Sequence, residues 1–145
     1  MKNEPLIIER TLNAPADVVW KAITNVDQMR KWYFDVSDFK PELGFEFQFK
    51  GGNEDRVYTH LCRITELVTG KKLQYSWRYQ GYEGNSFVTF ELFAEGNKTR
   101  LRLTHEGVES FSANGPDFTR TNFEQGWNHI VGISLKEFVE KEKVM

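Results

Sequence analysis

One cysteine, Cys62, stands in a chain of 145 residues, so no intrachain disulfide can form and nothing points to an oxidising compartment. A lone cysteine in an apolar strand pattern reads as a small core residue, and the cytoplasm is the expected location. No apolar run approaches the ~20 residues of a membrane helix, and residues 1–5 are polar rather than a secretory leader. Neither charge sign dominates: 19 basic against 21 acidic side chains give a net charge of −2, with pI ≈ 6.0. That balance argues against a nucleic-acid or anionic-membrane surface. Catalytic signatures are equally scarce. Gly-x-Ser-x-Gly is absent, and no glycine-rich phosphate loop precedes a helix. Glu46, Glu91 and Glu106 fall on outward strand positions, which leaves no facing carboxylate pair. His60 and His105 sit on separate strands with no third ligand at a metal-binding spacing. No catalytic residue, metal or cofactor is therefore expected.

Aromatic surface is what the chain has in quantity. It carries 12 Phe, 5 Tyr and 4 Trp, although its mean hydropathy is only −0.56. With 39% hydrophobic and 28% charged residues it reads as one globular domain over residues 1–145. A chain this long buries about 70% of its unfolded surface. Residues 6–12 alternate as a strand. Pro15 suits the first turn of a helix over 16–25, where Val18, Val19, Ala22 and Ile23 fall at helical spacing. A second short helical stretch covers 25–31. From there the period is two, with strands expected near 34–39 and at 45–49, 57–67, 73–79, 87–94 and 99–107. Turn residues at 41–44, Gly51-Gly52-Asn53, Thr69-Gly70, 81–85 and Gly96-Asn97 connect them as an antiparallel meander.

After a loop at 108–115, Pro116 opens a helix to about residue 141. Phe123, Trp127, Ile130, Ser134 and Phe138 mark its main apolar face, widened by Val131, Leu135 and Val139. Gly126 and Gly132 each cost roughly 1 kcal/mol there relative to Ala, which close backbone packing beside Trp127 would explain. The class is α+β: an antiparallel sheet with one face covered by a long helix.

Strand parity selects the covered face. It places Phe45, Phe47 and Phe49 inward, then Tyr58, His60, Cys62 and Ile64 on the next strand. Leu73, Tyr75, Trp77 and Tyr79 follow, with Val88, Phe90 and Leu92, and finally Leu101, Leu103 and His105. Arg10 joins them by the same alternation. Such an interior mixes bulk with polar tips that need partners. One reading is a partly hydrated ligand cavity; the other is a filled core whose tips reach solvent at the sheet ends. For the cavity, the candidate ligand-binding residues are Trp32, Phe47, Tyr58, His60, Tyr75 and Trp77. Phe90, Leu103 and His105 extend the set on the sheet, and Phe123, Trp127 and Ile130 on the helix. His60 and His105 would serve an enzyme as acid and base; otherwise they bond to backbone or water. His129 lies off the apolar stripe and should be exposed. Phe111 and Phe118 either close a cavity mouth or join Tyr82 in an exposed patch.

The stretch Asn13-Ala14-Pro15-Ala16-Asp17-Val18-Val19-Trp20-Lys21-Ala22, followed by Met29-Arg30-Lys31-Trp32, resembles the opening of the Hsp90-ATPase-activator-homologue-like proteins. Thr99-Arg100-Leu101-Arg102-Leu103-Thr104-His105-Glu106-Gly107 and Gly126-Trp127 with Leu135 match the later blocks. The family belongs to the START-related (SRPBCC, Bet v 1-like) superfamily. The resemblance implies the helix-grip fold, a curved sheet around a long C-terminal helix with a hydrophobic cavity between them. Relatives bind lipids, sterols, polyketides or plant hormones, and some are cyclases or other enzymes. A small hydrophobic or aromatic ligand is thus the implied partner. A chaperone-accessory role comes second, because the eukaryotic co-chaperones carry a further N-terminal domain beyond these residues.

Overall fold

The computed structural model describes residues 4–52, 57–115 and 118–142. In β1 (Leu6–Leu12), Leu6, Ile8 and Leu12 are buried while Ile7, Glu9 and Thr11 face out. Pro15 then leads into α1 (Ala16–Thr24), which buries Val19, Ala22 and Ile23. Asn25 caps α2 (Val26–Trp32), its side-chain oxygen accepting from the Gln28 N–H. The Trp32 indole N–H donates to the Ala22 carbonyl at 2.8 Å and fastens α2 to α1.

Five more strands follow: β2 (Glu46–Gly52), β3 (Val57–Val68), β4 (Lys72–Tyr79), β5 (Ser86–Glu95) and β6 (Lys98–Glu106). They pair antiparallel with β1 in one six-stranded sheet, ordered β1-β6-β5-β4-β3-β2. A 3-10 turn (Val108–Asn114) leads to the C-terminal helix, which comprises α3 (Arg120–His129), a π-helical segment (Ile130–Leu135) and α4 (Lys136–Glu142). The sheet and this helix enclose the core, as the helix-grip arrangement requires. No helix among the described residues is long and apolar enough to cross a membrane.

Burial alternates along the strands, save that outward-facing Thr89 of β5 is buried too, and one departure in register is instructive. Between Ile64 and Glu66 the β3–β4 register shifts at a bulge. Strict parity would send Leu67 outward with Leu61 and Arg63; the extra residue returns it to the inner face opposite Leu73.

Three expectations are corrected. Residues 34–39 form no strand: the Val36 N–H bonds back to the Phe34 carbonyl at 2.8 Å, a tight turn that breaks the extension. Ser37 ties this segment to β2, its N–H donating to the Gln48 carbonyl and its Oγ accepting from the Gln48 N–H. Residues 108–114 wind as a 3-10 turn rather than a loop, anchored where the Asn85 N–H donates to Ser110 Oγ at 3.0 Å. The main helical stripe is Phe123, Trp127, Val131, Leu135 and Val139, all buried, whereas Ile130, Ser134 and Phe138 are half-buried. A step of four drifts by about 40° each time on an α-helix. The wider turns of the π segment take up part of that drift. Asn53 of the expected turn and Pro116 at the expected helix start lie outside the described residues.

Candidate functional site

At one end of the sheet the helix and strands do not meet, and a cavity of about 310 Å³ remains. That is at the small end of the range for ligand sites. Its sheet side carries Tyr58 and His60 from β3 with Trp77 and Tyr79 from β4. Its helix side carries Phe123, Gly126, Trp127 and Ile130, and Phe118 lies where the chain enters the helix. Exposed Asn122 with half-buried Phe34, Gly51, Gly126 and Ile130 forms the rim, while the other walls are buried. No carboxylate, ammonium or guanidinium is among the described residues of the wall.

The two glycines of the rim play opposite parts. A Cβ on Gly51 would sit 2.8 Å from the Phe34 ring and 3.3 Å from His60, so these rings lie against bare backbone. A Cβ on Gly126 would meet nothing within 4 Å. Close packing therefore does not explain Gly126; it faces open space. The packing argument holds instead for Gly132, whose Cβ would stand 3.1 Å from Arg10 Nε. Arg10 comes in from β1 and donates to Asn128 Oδ1 at 2.6 Å.

Behind this wall runs a hydrogen-bond chain whose protons are all assigned by donor chemistry. The Trp127 indole N–H can only donate, and it reaches His105 Nδ1 at 3.0 Å. His105 therefore carries its proton on Nε2, which donates to Ser86 Oγ at 2.8 Å. Ser86 in turn donates to the Trp77 carbonyl at 2.8 Å. Both nitrogens of His105 are committed within the protein, and burial, helped by nearby His60, pushes its pKa down to about 3. His60 stacks on Phe49 with ring centroids 4.5 Å apart and uses Nδ1 on the Tyr58 carbonyl at 3.0 Å. Burial lowers its pKa to about 4, against the pull of the Tyr58 and Phe49 carbonyls. Neither ring is poised as a general acid or base near neutral pH.

These two rings make stability pH-dependent with a definite sign. The unfolded chain binds a proton at each near pH 6.5, while the native state resists doing so. Above pH 6.5 they take nothing from stability; below it, each removes about 1.4 kcal/mol per pH unit until its native pKa is reached. Urea unfolding at pH 7, 5.5 and 4.5 should show this decline, with a shallower slope in His60→Phe. An unfolding free energy flat from pH 7 to 5 would contradict the assignment.

The family model of the Activator of Hsp90 ATPase homolog 1-like protein matches residues 13–140. The chain belongs to this family. Solved structures similar to this Hsp90-activator-homologue-like chain include protein MLL2253 of Mesorhizobium loti, 24% identical with TM-score 0.75, covering 95% of this chain and 98% of that one. Protein CV1439 of Chromobacterium violaceum is 23% identical with TM-score 0.80, covering 97% and 99%. Protein BH1534 of Bacillus halodurans is 23% identical with TM-score 0.71, covering 94% and 96%. At such identities the likeness establishes the fold alone. No curated protein matches the chain significantly.

In this Hsp90-activator-homologue-like domain the candidate residues divide by position along the strands. Tyr58, His60, Trp77, Phe123, Trp127 and Ile130 meet at the cavity. Phe47, Tyr75, Phe90 and Leu103 are buried on the same inner face but outside the cavity wall. Tyr75 uses its hydroxyl on that of Tyr33 at 2.9 Å, and burial raises both phenols well above the usual range. Trp32 locks the two short helices, and His105 stands behind Trp127. Cys62 is buried beside them, its thiol pKa pushed up by desolvation. Phe118 is buried in the cavity wall and packs on Tyr82 and Tyr58, while Phe111 is fully buried behind it. Phe34, Gly51, Asn122 and Gly126 are wall residues that strand parity could not find. The available signal was Gly126 itself, a helix-weakening residue one position from a core tryptophan.

Proposed function

We propose that this domain binds a small, mostly apolar and aromatic-compatible ligand in the cavity between the sheet and the C-terminal helix, without catalysing its conversion. The observation that carries this reading is Gly126, a costly residue in mid-helix that leaves space instead of filling it. Aromatic walls with few polar tips support it, as does the neutral state of both inner histidines. The buried thiol of Cys62 fits work in the cytoplasm.

A titration with naphthalene and biphenyl tests it. Saturable quenching of tryptophan fluorescence is expected, with shifts in the Trp77 and Trp127 indole N–H signals by NMR. Glu46→Ala, on the outer face, should leave the affinity unchanged. If neither indole responds to any neutral aromatic at its solubility limit, the reading is wrong. An accessory role at an Hsp90-type chaperone is the alternative that the family description brings. A chaperone ATPase assay with and without this domain separates the two.

A further inference from the structure

Tyr79 holds a proton that no described residue accepts. The Trp77 indole N–H donates to Tyr79 Oη at 2.9 Å. Since the indole has no lone pair to offer, the phenol oxygen accepts in that bond and its own O–H is left over. No acceptor for that O–H is found among the described residues. The ring is surrounded edge-on by Tyr58, His60, Phe111 and Phe118. Tyr79 is only 5% exposed, so its O–H is largely shielded from bulk water, and a buried donor without a partner is costly. Yet Tyr79 lines the cavity, on the same inner face of β4 as Trp77. Burial raises its pKa, so it remains a donor throughout the working pH range. The bond it receives from Trp77 polarises the O–H and makes it a better donor.

We propose that Tyr79 is the specificity-determining residue of the cavity, donating its O–H to a neutral, largely apolar ligand that carries a hydrogen-bond acceptor such as a carbonyl or ether oxygen. This rests on the cavity being the ligand site. Ionised ligands are excluded by the same wall. Without a charged side chain to meet it, a carboxylate or ammonium would be desolvated with little return.

The probes are 1-tetralone and tetralin, which differ by a carbonyl in place of a methylene, with 1-naphthoate as the charged control. Calorimetric titration of the whole chain gives the ketone-to-hydrocarbon affinity ratio. Comparing that ratio between wild type and Tyr79→Phe cancels the ketone's own desolvation. It should fall by about tenfold in Tyr79→Phe, the worth of one net hydrogen bond. The carbonyl stretch of bound 1-tetralone should move to lower frequency in wild type and revert in the variant. Tyr79→Phe also frees the Trp77 N–H, so the double variant with Trp77→Phe is measured beside it.

A ratio unchanged in both variants overturns the proposal. A fall confined to the double variant is decided by Trp77→Phe alone: a ratio kept there supports the proposal, and a ratio lost there gives the contact to the indole and overturns it. Binding of 1-naphthoate as tight as that of the ketone overturns the claim of neutrality. Should neither ketone nor hydrocarbon bind, the cavity reading itself fails; tetralin and 1-tetralone binding without dependence on Tyr79 leaves that reading standing and removes this one.

Discussion

His105→Ala should lower folding stability by about 3–5 kcal/mol, a large share of the 5–15 kcal/mol typical of a domain. The side chain is fully buried and joins three elements through two hydrogen bonds. Truncation opens a void and strips the Trp127 N–H of its acceptor, so a desolvated donor is added to the lost packing. The neighbouring Ser86 loses the donor that positions it against Trp77, next to the cavity wall. Urea unfolding should show the midpoint falling with the slope unchanged. His129→Ala, at an exposed site on the same helix, should stay within about 0.5 kcal/mol of wild type. A loss under about 1 kcal/mol for His105→Ala would mean that the bond chain is dispensable.

Gly126→Leu should do the reverse: strengthen the fold while closing the site. Leucine in place of glycine gains about 0.8 kcal/mol of helix propensity, and nothing lies within 4 Å of the new Cβ to oppose it. The side chain then projects into the space that the aromatic probes would occupy. Biphenyl affinity should drop at least tenfold while the unfolding temperature holds or rises. Such a pairing separates occlusion from unfolding, which is the usual ambiguity of a binding-site variant. Gly132→Leu is the contrasting case, because its Cβ would press on Arg10 and endanger the Arg10–Asn128 bond. That variant should lose stability. Unchanged biphenyl binding in Gly126→Leu would place the ligand elsewhere.

Much of the fold was legible because alternation is a local property. Phe47 and Phe49, then Tyr75, Trp77 and Tyr79, and then Leu101, Leu103 and His105 point inward for the reason that successive strand residues must point oppositely. The bulge at Thr65 shows where this reasoning ends, since an extra residue cannot be seen from period alone. The site was legible only by half. Parity assigns a face but not what stands opposite each position, so Tyr58 and Trp77 at the cavity looked the same as Tyr75 and Phe90 in the filled part. Phe34 escaped because the turn at Val36, not an expected strand, aims it at Phe49 and His60. Gly51 escaped because its part is to admit the Phe34 and His60 rings against bare backbone, and Gly126 because a helix glycine reads equally as close packing or as open space.

The π-helical segment has a consequence for how this helix can vary. Its ladder skips one residue further than the turns on either side, so the stretch between Trp127 and Lys136 stores one residue of surplus chain. Tightening to an ordinary α-helix would release that residue without rotating the two flanks against each other. Trp127, facing the cavity, and Val139, seated in the core, are thereby insulated from a one-residue change in the length of the chain between them.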